Sequence, residues 1–182
     1  MKSKSDIRKE ILGKRNKMDE NTRMEFSSKI KSSLFSMKEF QSAKTVMLFV
    51  SFGNEVFTHD MIKDALKTKA VVVPKIVNKK LVPIRISSFS ELSPRTLGIL
   101  EPKSDKAFDK KKIDLVVVPG VAFDRRGFRI GYGKGYYDDF LVGINAKKIA
   151  VGFDLQIIGK VPNEKHDIPV DMVVSENGIY TV

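Results

Sequence analysis

With 182 residues, 42% of them hydrophobic and 30% charged, the chain has the composition of an ordinary globular domain that can bury about 70% of its unfolded surface. It has no cysteine and only two histidines, which excludes disulfides, thiolate metal sites and thiol catalysis and leaves His59 and His166 too sparse for a zinc site. The net charge of +11 favours anionic partners; no apolar run reaches membrane-span length and the N-terminus is charged rather than signal-like, so a cytoplasmic protein is expected.

Residues 4–18 carry Ile7, Ile11 and Met18 at helical spacing, with Lys4, Arg8 and Arg15 on a neighbouring stripe. Thr22 and Glu25 have the form of a capping box ahead of a second amphipathic helix marked by Phe26, Ile30 and Leu34. The run 45–50 predicts a buried strand, and Thr58 is placed to cap a helix carrying Ile62, Ala65 and Leu66. A strand over 70–74 and another over 81–86 flank a basic turn, and Pro74 and Pro83 place themselves at strand ends or an edge. Residues 87–112, rich in Ser, Pro and Lys, predict a surface crossing with little regular structure. Acidic residues break up the lysine run 103–112, which reads as a solvated face, so no nucleic-acid partner is expected.

Residues 113–118 form a continuous apolar run ending at Pro119-Gly120, the pattern of a buried parallel strand. Beyond it lies Gly127-Phe-Arg-Ile-Gly-Tyr-Gly-Lys-Gly-Tyr-Tyr-Asp138, in which Gly131, Gly133 and Gly135 alternate around Lys134. Backbone N–H groups in such a loop can approach an anion closely, and Lys134 adds a mobile charge. A Walker A loop does not fit, because Phe128 stands at its first glycine and Gly135 follows the lysine. A dinucleotide fingerprint does not fit either, since Tyr136 takes its third glycine position. A short helix over 136–142, a strand over 148–153 and a terminal hairpin turning at Glu176-Asn177-Gly178 complete the chain. The order predicts an α/β fold with three layers: a mostly parallel sheet flanked by helices, a C-terminal hairpin, and one domain over 1–182. The loop then falls past a strand's carboxyl end, where open α/β sheets bind ligands. On the residues alone, three readings stay open beside a phosphate site: a tight turn before a helix, a sugar-phosphate isomerase or acyl-transfer enzyme, and a nucleic-acid or pterin-binding protein.

Separated blocks narrow this. Lys4-Ser-Asp-Ile-Arg8, Phe52-Gly-Asn-Glu-Val-Phe-Thr58, Val118-Pro-Gly-Val-Ala-Phe-Asp124, the glycine loop, Gly152-Phe-Asp-Leu-Gln156, Pro162-Asn-Glu-Lys-His-Asp167 and Asp171-Met-Val-Val occur in this order. Together they closely resemble the 5-formyltetrahydrofolate cyclo-ligase family over nearly the whole chain. The resemblance implies ATP- and Mg2+-dependent closure of 5-formyltetrahydrofolate to 5,10-methenyltetrahydrofolate, with release of ADP and phosphate. It implies ATP binding by Lys4, Arg8, Arg129, Ile130, Gly131, Tyr132, Gly133, Lys134, Gly135, Tyr136 and Tyr137, with Lys134 and Arg129 catalytic. It further implies reduced-folate binding by Phe52, Glu55, Tyr132, Gly133, Lys134, Gly135 and Tyr136, and Mg2+ on Asp138 and Asp171; a monomer is the default expectation. Asp154, Gln156, His166 and Asp167 match the pattern without a settled role. Two positions depart from it: Phe57 stands where an acidic residue is expected, and Tyr132 where the family can carry arginine.

Overall fold

The computed structural model of the chain describes residues 2–95 and 98–182. In chain order its first half contains α1 (Lys4–Arg15), α2 (Glu20–Ser36), α3 (Lys38–Ser42), β1 (Thr45–Leu48), α4 (His59–Ala65), β2 (Ala70–Val77) and β3 (Lys80–Ile86). There follow β4 (Leu92–Pro94), β5 (Leu100–Pro102), β6 (Leu115–Val118), β7 (Ala122–Phe123), β8 (Arg129–Ile130), α5 (Tyr136–Leu141), β9 (Lys147–Val151), β10 (Met172–Ser175) and β11 (Gly178–Thr181).

The long apolar runs become one seven-stranded sheet in the order β11-β10-β9-β6-β1-β2-β3. Neighbours from β10 through β2 pair in parallel, and antiparallel pairing occurs only at the two edges, β10 with β11 and β2 with β3. Alternation along each strand sorts the side chains into two layers of core. Val46, Leu48, Val71, Val73, Leu115, Val117 and Ile149 pack under α2, α3 and α4. Met47, Val72, Val116, Val118 and Ala150 face Phe140 and Leu141 of α5. The α/β expectation of a mostly parallel sheet with helices on both sides and a C-terminal hairpin holds.

α1 does not lie on the sheet. Its Ile7 and Ile11 pack with Val121, Ala122, Ile130 and Val161, so it rides on the loops beyond β6. That placement carries its cationic stripe to the glycine loop.

Some local expectations are corrected. The N-cap of α2 is Asp19, three residues before the expected Thr22, because the Asp19 carboxylate accepts from the Thr22 amide and hydroxyl at 2.9 and 2.7 Å. Thr58 stands at the N-cap of α4 without capping it. Its hydroxyl donates to the Phe49 carbonyl at 2.6 Å and accepts from the Ser51 amide at 2.9 Å, so it staples the β1 loop instead. Pro74 lies inside β2 rather than at its end, opposite Pro83. The missing N–H is tolerated because β1 pairs with β2 only as far as Val72, and β3 is an edge strand. Among its described residues the region 87–112, expected to be irregular, includes the paired strands β4 and β5 and 3-10 turns at Phe89–Glu91 and Lys110–Lys112.

Candidate functional site

A cavity of about 630 Å3 opens at the carboxyl ends of the central strands. Its apolar walls come from Phe49 and Val50 after β1, Pro74 and Ile76 of β2, Leu81 of β3 and Leu100 of β5. Its polar face comes from Arg15 and Asn16 of α1 and its cap, Asn54 and Glu55, Arg129, Lys134 and Asp138. An apolar chamber with a few convergent polar groups is what a flat heteroaromatic ligand requires.

The β1 loop turns so that both Glu55 carboxylate oxygens are already oriented. Oε2 accepts from the Phe52 amide and Oε1 from the Tyr132 hydroxyl, each at 2.8 Å. Burial raises the Glu55 carboxyl above the usual range, against the Phe52 amide, the Tyr132 hydroxyl and the Arg15 charge, which favour the anion. Burial, with the Glu55 charge beside it, also raises the Tyr132 phenol, so it is protonated and donates. Phe52 is 45% exposed and lines the rim.

The glycine loop lines the same cavity. Gly133 and Gly135 are left-handed, with φ of 90° and 72°. A β-carbon at Gly133 would stand 3.5 Å from Arg8 Nη2, which places the Arg8 guanidinium directly behind the loop. Arg8 Nε donates to the Gly131 carbonyl at 2.9 Å, tying α1 to the loop. Lys134 is exposed, lines the cavity and has no hydrogen bond or ion pair among the described residues. Helix α5, which the loop opens, has only six residues, so the cradle rests on loop amides more than on a helix dipole.

Arg129 comes from β8 with its side chain 3% exposed, and its Nη1 donates to Asp138 Oδ1 at 2.9 Å and to the Ile168 carbonyl at 3.3 Å. The buried Arg129 Nε and Tyr137 hydroxyl have no partner among the described residues, and both residues line the cavity. Two unmet polar groups on one wall are what a site left ready for a polar ligand would show.

The expected metal pair is not brought together. Asp138 lines the cavity, and its contacts with Arg129 and the Ile168 amide both fall on Oδ1, leaving Oδ2 without a hydrogen bond among the described residues. Asp171 sits at the amino end of β10, outside the cavity lining, where its carboxylate accepts from the Lys148 amide at 2.7 Å. The parallel pairing of β10 with β9 puts it at the opposite end from the ligand loops. Among the described residues no group of three or more His, Asp or Glu is arranged to hold a metal. A single carboxylate fits Mg2+ that is completed by phosphate oxygens and water. Asp139, next to Asp138, faces a separate cavity with Lys79 and Lys80.

Other expected residues are placed as follows. Lys4 is 2.6 Å from Asp167 and 3.4 Å from Glu164, so its charge is matched by carboxylates rather than turned into the cavity. Ile130 is buried beneath α1, which leaves only its backbone for a ligand. Gln156 is structural: its amide donates to the Gly120 and Val121 carbonyls at 2.9 and 3.0 Å, and its Oε1 accepts from the Phe153 amide. Asp154 accepts from the Tyr180 hydroxyl at 3.0 Å and ties the C-terminal hairpin to the sheet. His166 is 71% exposed and 3.8 Å from both Glu164 and Asp167. Sequence reasoning missed Arg15 and Asn54 as cavity residues, although Arg15 shares the cationic stripe of α1.

The model of the 5-formyltetrahydrofolate cyclo-ligase family matches residues 1–176. The solved structure of an Aquifex aeolicus 5,10-methenyltetrahydrofolate synthetase superimposes with a TM-score of 0.89 at 35% identity, covering 98% of this chain and 92% of that one. A probable 5-formyltetrahydrofolate cyclo-ligase of Caenorhabditis elegans is 31% identical over 95% of this chain and 92% of its own length. The 5-formyltetrahydrofolate cyclo-ligase of Mus musculus is 28% identical over 96% of this chain and 94% of its own length.

Proposed function

The chain belongs to the 5-formyltetrahydrofolate cyclo-ligase family of enzymes, and from that premise we propose that it closes 5-formyltetrahydrofolate to 5,10-methenyltetrahydrofolate at the expense of ATP. The observation that carries the reading is that one cavity is lined both by a carboxylate whose two oxygens are already hydrogen-bonded in place and by a glycine loop whose lysine has no partner among the described residues.

A formamide oxygen is a poor leaving group. Transfer of the terminal phosphoryl group of ATP to that oxygen releases ADP and makes the carbon electrophilic. N10 then attacks, the new C–N bond forms, N10 loses its proton, and the C–O bond breaks to release phosphate. Phosphoryl transfer asks the protein for positioning and charge stabilisation rather than an acid–base pair. Glu55 accepts from the donor edge of the pterin and sets its orientation, while Phe52 and the aromatic rim hold its face. Lys134, the loop amides of Gly131 to Gly135, and Arg8 behind them receive the phosphates. Arg129 stabilises charge on the transferred group and holds Asp138. Asp138 would hold Mg2+, which would neutralise phosphate charge. Lys4 joins the phosphate contacts by leaving Asp167, and Asp171 serves the fold rather than the metal. All 182 residues act as one domain, in a cytoplasmic monomer whose partners are small molecules.

The experiment is direct. Near-ultraviolet absorbance of the methenyl product should rise only when ATP, Mg2+ and 5-formyltetrahydrofolate are all present. Product without ATP would remove the ligase reading.

A further inference from the structure

Arg15 ends α1 and is almost wholly buried, at 3% exposure. A cation is taken that far from water only where partners compensate it. Its Nε donates to Asn54 Oδ1 at 2.6 Å, and its Nη2 donates to the Tyr132 hydroxyl at 2.7 Å. Tyr132 in turn donates to Glu55 Oε1 at 2.8 Å. Asn54 is held from its other end by Asn16, directly after α1. Three separate segments therefore meet in one chain of hydrogen bonds: the end of α1, the β1 loop and the glycine loop.

The direction of that chain is forced. A phenol has one proton. Arginine has no acceptor, so Nη2 must donate to the phenol oxygen, and the Tyr132 proton is left to point at Glu55. With the Phe52 amide on Oε2, each carboxylate oxygen of this cavity-lining residue then has one protein donor and lone pairs to spare. Such a carboxylate takes a ligand edge bearing two adjacent N–H donors.

We propose that Arg15 is the positioning residue that, through Tyr132, locks Glu55 as an ionised double acceptor and so sets the site's preference for a ligand with paired N–H donors. This rests on the pterin reading of the cavity. Arg15 touches no reacting atom; it acts on the orientation and charge of Glu55. The other charged or titratable groups sharing the cavity with Glu55 are Tyr132 and Lys134 of the glycine loop, Tyr136, Tyr137 and Asp138 of α5, Arg129 of β8 and Glu101 of β5. Arg15 reaches Glu55 through one hydroxyl.

The test compares wild type, Arg15→Met and Tyr132→Phe in steady-state cyclisation from pH 5 to 9. The KM for 5-formyltetrahydrofolate should rise about tenfold in both variants, with the KM for ATP held within about twofold. The acid limb of kcat/KM for the folate should move up by about one pH unit, because the anion loses a nearby positive charge in Arg15→Met and a donor in Tyr132→Phe. Tyr132→Phe keeps the ring's packing, so it reports on the relay even if Arg15→Met folds poorly. Unchanged folate KM and pH limb in Tyr132→Phe would overturn the inference while leaving the ligase function standing. Equal rises in both KM values would assign Arg15 a purely structural role and overturn it as well. A wild-type chain that does not cyclise the folate overturns both readings together.

Discussion

Lys134→Ala separates chemistry from folding more cleanly than any other substitution in the site. The Lys134 side chain is exposed and has no hydrogen bond or ion pair among the described residues, so nothing in the fold depends on it. Removal should change stability by no more than about 0.5 kcal/mol. For a domain of this size that is a Tm shift of about 2 °C or less. If Lys134 stabilises charge on the transferred phosphoryl group, kcat should fall about 100- to 1000-fold, or about 2.7–4 kcal/mol. Arg129→Met supplies the contrast. Its guanidinium is 3% exposed and holds an Asp138 carboxylate that is itself 25% exposed, so the loss is smaller than for a fully buried pair. We expect about 1–3 kcal/mol of destabilisation and a Tm lower by about 2–12 °C, together with loss of turnover. Differential scanning fluorimetry and saturation kinetics on both variants read the two quantities separately. A Lys134→Ala enzyme with wild-type kcat and only a raised KM for ATP would refute the reasoning, since the lysine would then bind ground and transition states alike.

Phe123 should couple to two glycines. A β-carbon at Gly152 would stand 2.5 Å from the buried Phe123 ring and one at Gly120 2.7 Å from it, so either Gly→Ala change should cost about 1–3 kcal/mol by overpacking. Combining Gly152→Ala with Phe123→Leu should recover part of that cost in a denaturant double-mutant cycle; strict additivity would count against the contact. Burial alone would raise the Asp167 carboxyl, but Lys4 and the Glu164 amide outweigh it and hold it below the usual range. Its stabilisation is therefore complete above about pH 4 and lost as pH falls through the depressed value. Asp167→Asn should flatten the acid side of a stability-versus-pH curve and leave neutral pH as the region of greatest loss. Asp138→Asn should raise the Mg2+ concentration for half-maximal rate by at least about tenfold, and Asp171→Asn should leave it unchanged.

Much of the fold was legible because apolar periodicity survives in the strands: the runs at 45–50, 113–118 and 148–153 all became members of one sheet. Local capping was not. Asp19 and Thr22 compete for the same helix start, and only the three-dimensional turn decides that the aspartate reaches the amide. The β4–β5 pair was hidden because its strands are three residues each, too short for alternation to show. The site residues that are close in sequence, from Gly131 to Asp138, were found together, apart from Gly133, on one cavity wall. Those that depend on register were harder. Asp171 matches a motif yet lies at the amino end of its strand, while Arg15 looked like one more surface cation of α1. Its role requires knowing that α1 packs on loops instead of on the sheet.

The central claim is that the glycine loop delivers a phosphoryl group to the formyl oxygen. It is tested most directly by cyclising 5-formyltetrahydrofolate labelled with oxygen-18 at the formyl position and weighing the released phosphate by mass spectrometry. The account predicts one labelled oxygen in each phosphate. Unlabelled phosphate, with the isotope recovered in water, would contradict it.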